Sequence, residues 1–233
     1  MKLSVIVPVF NEEQTIGEVI ERVFAVDIGD IDKEIIVAND GSSDGTPTAI
    51  DASRWRNDPR LRLFEHSINL GKGAAIRLGL RHATGDVMLI QDADLELHPR
   101  EYGALLAPIL AGEADVVYGS RFLLGQRNIP LRTRLANRGL TSVANVLFGA
   151  RLTDMETGFK VFRRDALTGI ALRSVGFEFE PEVTAKLLLA GRRIREVPIG
   201  YQPRRKDEGK KIRWIDGLDA LYVLLRCRIN GGK

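Results

Sequence analysis

The sequence predicts an α/β protein with a doubly wound, mostly parallel sheet and helices on both faces. Three observations carry this. Short apolar runs rich in Val and Ile recur along the chain, as the buried strands of a parallel sheet do. Between them lie segments whose apolar residues return at helical spacing, the alternation of βαβ units. Several of the runs end abruptly in acidic or turn-forming residues, where open α/β sheets take their ligands.

The elements follow in order. Residues 3–9 form a first strand, and Pro8, which has no N–H for a ladder, marks its exit. A helix to about Ala25 carries Ile16, Val19, Ile20 and Val23 on one face, behind acids at Glu12 and Glu13 that suit its positive end. Residues 34–38 form a second strand, ending in the turn-rich loop 39–46. A short helix from about Pro47 to Trp55 precedes a third strand over 60–64, whose alternation suits a sheet edge. Gly71-Lys72-Gly73 opens a helix to about Ala83, a turn able to cradle a phosphate at a helix N-terminus. Residues 87–90 are a fourth strand, running directly into Gln91-Asp92-Ala93-Asp94-Leu95-Glu96. Pro99 starts a helix to about Leu110, and residues 114–118 make a fifth strand ending at Gly119-Ser120-Arg121. A basic amphipathic helix spans 131–148, with Arg132, Arg134 and Arg138 toward its start. A short strand follows Gly158, a helix runs from about 177 to 189, and residues 193–199 are a last strand. A basic loop over 201–211 and an amphipathic helix over 214–229 close the chain. No linker divides it, so residues 1–200 are expected to form one catalytic domain with 201–233 packed on it.

Composition narrows the class. With 233 residues and 44% hydrophobic side chains the chain supports a large core. Cys227 is its one cysteine, so no internal disulfide forms, which fits a reducing compartment. His66, His82 and His98 have no zinc spacing. The chain enters a strand directly after Met1 and Lys2, so no signal peptide is expected, and no apolar run reaches the roughly 18 residues of a membrane span. The net charge of +3 hides an asymmetry. Residues 1–120 carry 11 Lys and Arg against 20 Asp and Glu, whereas residues 121–164 carry 9 against 2 and residues 201–233 carry 9 against 4. Two basic segments late in the chain point to a polyanionic partner: phosphates or an anionic membrane surface. Nucleic acid is disfavoured, because aromatic residues are only 6% and no stacking cluster is interleaved among the arginines.

Asp92 and Asp94, at i and i+2 beyond a buried strand, offer hard oxygen ligands of the kind that join Mg²⁺ or Mn²⁺ to substrate phosphates. By themselves they read equally well as solvated acids capping a strand.

Taken together the motifs resemble the family 2 glycosyltransferases of the GT-A fold, a Rossmann-like class, most closely the dolichyl- and polyprenyl-phosphate mannose or glucose synthases. The resemblance runs in order through residues 7–12, 39–46, 85–86, 92–94, 119–121, 154–159, 196–198 and 204–210. It implies that Pro8, Phe10 and Glu12 line the nucleotide pocket, with Phe10 where many members have Tyr. It implies that Ala38 and Asp40 hold the base, a carboxylate being able to accept from the N–H groups of uracil or guanine. Asn39 stands where Asp is more usual. Asp92, Ala93 and Asp94 match the segment that holds ribose, diphosphate and metal. Glu96 falls where some lipid-phosphate synthases place Gln as a further metal ligand. Arg121 matches an arginine beside the donor and acceptor phosphates. Arg204 and Lys210, with Lys206 assisting, match the loop that clamps the diphosphate.

The implied reaction moves a hexose from a GDP- or UDP-sugar, with inversion, to a polyprenyl phosphate. Metal and cations would offset the charge of the departing nucleoside diphosphate. A lipid phosphate is already an anion and needs no strong base; a hydroxyl acceptor, as in cell-envelope polysaccharide synthesis, requires one, and Asp154 or Glu156 stand at the right place. Without a membrane span, lipid access implies peripheral attachment at the cytoplasmic face of a membrane or docking to a membrane-protein partner. Two rivals have sequence features against them. A nucleotidyltransferase would carry a Gly-rich signature after the first strand, where Pro8-Val9-Phe10-Asn11-Glu12 stands, and a catalytically silent nucleotide-sugar-binding or scaffold subunit would not need Asp92, Asp94, Arg121, Arg204 and Lys210 together.

Overall fold

The computed structural model describes residues 1–125, 129–204 and 214–232. Seven strands form one sheet: β1 (Lys2–Val9), β2 (Asp32–Asn39), β3 (Leu61–Glu65), β4 (Val87–Ile90), β5 (Val116–Ser120), β6 (Lys160–Arg163) and β7 (Ile194–Pro198). Their spatial order is β3-β2-β1-β4-β6-β5-β7. All pairings are parallel except those of β6, which runs antiparallel between β4 and β5. The alternating strand β3 takes the edge, as its sequence predicts. The chain winds outward from β1 to β3 and returns to β4 on the other side of β1. The carboxyl ends of β1 and β4 therefore flank the topological switch point, the crevice where open α/β sheets bind ligands.

Helices α1 (Ile16–Ala25), α2 (Thr46–Asp51), α3 (Lys72–His82), α4 (Tyr102–Leu110), α5 (Leu131–Phe148), α6 (Phe179–Leu189) and α7 (Trp214–Ile229) complete the fold. Strand alternation divides the core. Leu3, Val5 and Val7 of β1 face Val19, Ile20 and Val23 of α1 and Leu105 and Leu106 of α4. Ile6 and Ile36 face Ile76 of α3 and Val183 and Leu187 of α6. A third cluster packs Val223, Leu224 and Cys227 of α7 against Ala144 of α5 and Ala185 of α6.

Helix α2 stops at Asp51 rather than near Trp55. Beyond it the backbone makes successive tight turns, with Ser53 N bonded to Ile50 O and Arg56 N to Ser53 O. Trp55 is thereby swung onto Phe24 of α1, ring centroids 4.1 Å apart. The helix expected from Pro99 opens with a single 3₁₀ turn, capped by His98 Nδ1 accepting from Arg100 N, before α4 begins. At the amino end of the sheet, buried Glu34 accepts from Ser4 Oγ, Thr84 N, Thr84 Oγ1 and Lys2 Nζ. Burial disfavours its charge, but these bonds prevail and hold its pKa at about 2.

Candidate active site

The crevice is built by backbone turns at the strand ends. Among the described residues, Asn11 (φ 50°) and Leu95 (φ 63°) are the two non-glycine residues with positive φ, one at each wall. Such conformations persist only where the surroundings hold them. Asn11 N donates to Ser42 Oγ and Asn11 Oδ1 accepts from Ser43 N, tying the exit of β1 to that of β2. On the opposite wall the buried Gln91 donates through Nε2 to the carbonyls of Asp92 and Leu97 and accepts from Tyr102 Oη, which fixes the loop carrying Asp92, Asp94 and Glu96.

That loop concentrates negative charge. Burial, then the neighbouring Asp92 and Glu96, push the Asp94 carboxyl well above the usual range, against the opposing pull of Arg204. A crowded pair of hard oxygen donors suits Mg²⁺ or Mn²⁺ when substrate phosphate oxygens complete the shell. The fit needs the substrate, since no cluster of three or more acidic, His or Cys side chains among the described residues forms a cage alone. Glu96 is engaged at both oxygens: Tyr201 Oη donates to Oε2 at 2.9 Å and Arg204 N to Oε1 at 2.9 Å. It thereby draws the segment after β7 into the crevice. There the Arg204 guanidinium bonds both oxygens of Glu12, at 3.1 and 2.5 Å, and the Asp94 carbonyl at 3.0 Å. Arg204 thus bridges the two walls.

Arg121, at the end of β5, pairs bidentately with Asp154: Nε to Oδ2 and Nη2 to Oδ1 are both 2.8 Å, and Arg121 N donates to Oδ2 at 3.0 Å. Burial opposes the guanidinium charge, yet Asp154 raises its pKa overall. Asp154 is fully buried. Glu196 of β7 holds the same loop by accepting from the backbone N–H groups of Thr153 and Asp154. Glu156 is different. Its Oε1 is buried with no hydrogen-bond partner among the described residues. Burial and then the Glu180 carboxylate push its pKa up to about 7, against Lys160 and Arg121. Of the two acids expected on this loop, Glu156 has the protonation behaviour of a base near neutrality and Asp154 is committed to Arg121.

Behind these residues runs a line of buried charges. Lys72 Nζ is 2.7 Å from Asp92 Oδ1 and 3.4 Å from Glu180 Oε1. Glu180 also pairs with the fully buried Lys160. Lys160 Nζ donates to the carbonyls of Met155 (2.9 Å) and Thr157 (2.6 Å), pinning the turn that presents Glu156. A Cβ on Gly158 would lie 2.0 Å from Asp92 Oδ2, so only glycine lets this turn approach the β4 acids.

Other expected residues are placed as follows. Pro8 and Ala38 are buried register partners in the sheet, Ala93 is buried in the loop, and Phe10 is half-buried at the exit of β1. Asp40 accepts from Leu70 N and Gly71 N and lies 2.8 Å from His66 Nδ1, so it organises the approach to α3. The phosphate cradle expected at Gly71-Lys72-Gly73 is otherwise occupied: Gly73 N and Ala74 N donate to the carbonyls of Gly176 and Val175. The contribution of this turn is the Lys72 side chain. Lys206 and Lys210 lie outside the described residues. Sequence reading gave no role to Glu180, Lys160, Glu196 or Tyr201. Two of them carried a signal: Lys160 as a charge in the apolar run Phe159-Lys160-Val161-Phe162, and Glu196 within the matched segment 196–198.

The sheet order and the acid-lined switch point define a GT-A, Rossmann-like fold. A model described as glycosyl transferase family 2 matches residues 4–170, and the chain belongs to that family. Among its relatives, a dolichol-phosphate mannosyltransferase of Pyrococcus furiosus is 28% identical over 90% of this chain, which spans 59% of that protein. An undecaprenyl-phosphate mannosyltransferase of Micrococcus luteus is 29% identical over 99% of this chain and 100% of its own length. Glucosyl-3-phosphoglycerate synthase from Mycobacterium tuberculosis, solved with Mn²⁺, uridine diphosphate and phosphoglyceric acid, superposes with TM-score 0.71 at 26% identity over 99% of this chain and 76% of that one. The same enzyme with Mg²⁺ and uridine diphosphate gives 0.73 at 26% identity, over 98% and 79%.

Proposed function

We propose that this chain is an inverting glycosyltransferase that moves a hexose from a nucleotide-diphosphate sugar, GDP-mannose or a UDP-sugar, to a polyprenyl phosphate. The observation that carries this is the Arg204 bridge between Glu12 and Asp94, which sets a cation across the switch point beside crowded carboxylates. The mannosyltransferase relatives supply the acceptor class, and the complexes of the mycobacterial synthase supply the donor class and the metal.

Asp92 and Asp94 would hold Mg²⁺ or Mn²⁺, with Glu96 beside them. A divalent cation there offsets charge developing on the departing diphosphate. Arg204 does the same from the opposite wall, with Lys206 and Lys210, which follow it in sequence, as further cations. Pro8, Phe10, Glu12, Ala38 and Asp40 border the nucleotide. Arg121, held by Asp154, faces the phosphate groups. The lipid is reached by peripheral attachment through α5, which exposes Leu131, Leu135 and Val146 together with Arg132 and Arg138. No helix among the described residues is long and apolar enough to cross a membrane.

One observation favours a second reading. Glu156, titrating near neutrality with an unpartnered oxygen, is suited to deprotonate a hydroxyl acceptor, a service that a lipid phosphate does not require. The deciding experiment offers a panel of nucleotide sugars with Mn²⁺ to polyprenyl phosphate in anionic vesicles and, in parallel, to simple saccharides, and identifies products by mass. Hexosyl polyprenyl phosphate is expected. Product from the saccharides alone would establish the second reading.

A further inference from the structure

Helix α7 carries two apolar stripes. The inner one, Ala220, Val223, Leu224 and Cys227, is buried against α5 and α6. The outer one is Ile215, Leu218, Tyr222, Leu225 and Ile229, each between 42% and 81% exposed. Their spacing is 3, 4, 3, 4, the a/d alternation of a helix that packs along another helix rather than into a globular core. With Ile215, Tyr222 and Ile229 at a positions, Leu218 and Leu225 fall at d, and Asp219 and Arg226 both fall at e, on one flank of the seam.

We propose that this seam is a self-association surface, and that its occupant is α7 of a second copy of this chain, packed antiparallel. The charges specify both partner and direction. The first half of the helix carries Asp216 and Asp219; the second carries Arg226 and Arg228. In an antiparallel pair e positions face e positions. Leu218 of one copy then lies beside Ile229 of the other, Tyr222 beside Leu225, and Asp219 opposite Arg226, twice by symmetry. A parallel pair would instead set e against g, where Leu221 meets Arg226 and offers no charge partner. An anionic membrane is the weaker fit, because Asp219 is exposed beside the apolar stripe and would face like charge. Over 16 residues the helix is about 24 Å long, and in this register Leu218, Tyr222, Leu225 and Ile229 are seated while Ile215 lies past the end of the partner helix. This surface lies on α7 and involves none of the residues assigned to donor, metal or acceptor, so it stands whether or not the proposed activity does.

Sedimentation equilibrium on the full chain, without lipid or substrate, tests it. A monomer–dimer equilibrium is expected in the micromolar range. Leu218→Lys, at an exposed position, is expected to leave a monomer with an unchanged circular dichroism spectrum. Asp219→Arg and Arg226→Asp are each expected to raise the dimer Kd about tenfold by creating like-charge contacts, and the double swap to restore it. A wild-type chain that stays monomeric throughout overturns the proposal. So does a dimer that Leu218→Lys leaves intact, or one that the double swap fails to restore. Flotation with anionic vesicles, lost in Leu218→Lys while the wild type is monomeric in solution, would assign the seam to lipid instead.

Discussion

Lys72 Nζ stands 2.7 Å from Asp92 Oδ1, so one of the two aspartates at the end of β4 already has a counter-charge from the protein. The same ammonium is 3.4 Å from Glu180, and these carboxylates raise its pKa although burial opposes its charge. It lowers the negative potential of the crevice before any divalent cation arrives. Lys72→Met removes that charge and should tighten binding of Mn²⁺ alone about tenfold, read by calorimetry, because a unit charge a few ångströms away is worth about 1–4 kcal/mol between water and a protein surface. Unchanged or weaker metal affinity would show that Lys72 is not the counter-ion of this site.

Arg204 makes its contacts across the crevice rather than within one wall. Two charge-assisted bonds to Glu12 and one to the Asp94 carbonyl order the segment after β7. Arg204→Ala should lower kcat/KM for the nucleotide sugar by roughly 100-fold, since charge-assisted hydrogen bonds contribute about 1.5–3 kcal/mol each and are not additive here. Arg204→Lys should recover only part, because an ammonium cannot span both Glu12 oxygens with one planar fork. An alanine variant of full activity would remove Arg204 from the donor site.

Asp154 is expected to matter first to folding. Its carboxylate has no exposure and accepts three bonds from Arg121. Asp154→Ala leaves a buried guanidinium without its partner, which costs about 3–5 kcal/mol, measurable as a lower urea midpoint. The double variant Arg121→Met with Asp154→Leu should lose less stability than Asp154→Ala while transferring no sugar. A stability loss below about 1 kcal/mol for Asp154→Ala would leave the carboxylate available for another role.

The sequence carried the frame of this site better than its interior. The fold class was readable, because Val- and Ile-rich runs such as Ile35-Ile36-Val37 alternating with helical segments read as buried strands of a parallel sheet, and the ends of such strands are where ligands bind. Asp92 and Asp94 drew attention because they stand at such an end, and Arg121 and Arg204 through the family resemblance. The antiparallel placement of β6 was not readable, since Lys160–Arg163 has no local feature that fixes its direction. Glu180 was invisible for a related reason. On α6 it looks like one more first-turn acid, and only the fold brings it to Lys72 and Lys160 from 108 and 20 residues away. Asp40 has a structural duty that its sequence does not announce: its oxygens receive the backbone of the loop entering α3.

Glu156 gives a pH dependence whose sign is fixed. Burial and then the Glu180 carboxylate push its carboxyl up to about 7 in the folded protein, from an ordinary value of 4.5. Between those values the folded state keeps a proton that the unfolded state has released. Folding stability from this group is therefore complete below pH 4.5 and falls as pH rises through 7, by up to about 3 kcal/mol for a shift of this size. Glu34 acts in the other direction and far lower: held at about 2, it contributes above pH 4.5 and is lost only in strong acid. The two windows do not overlap, so chemical denaturation of the metal-free protein at pH 5 and pH 8 reads Glu156 without Glu34. Wild type should be less stable at pH 8, and Glu156→Gln, which cannot ionise, should flatten most of that difference. Asp94, also raised, contributes to the same slope, and Mn²⁺ should remove its share by favouring the charged carboxylate. If Glu156→Gln retains the full wild-type slope in the absence of metal, the neutral Glu156 inferred from its buried, unpartnered oxygen is wrong, and the hydroxyl-acceptor reading loses its base.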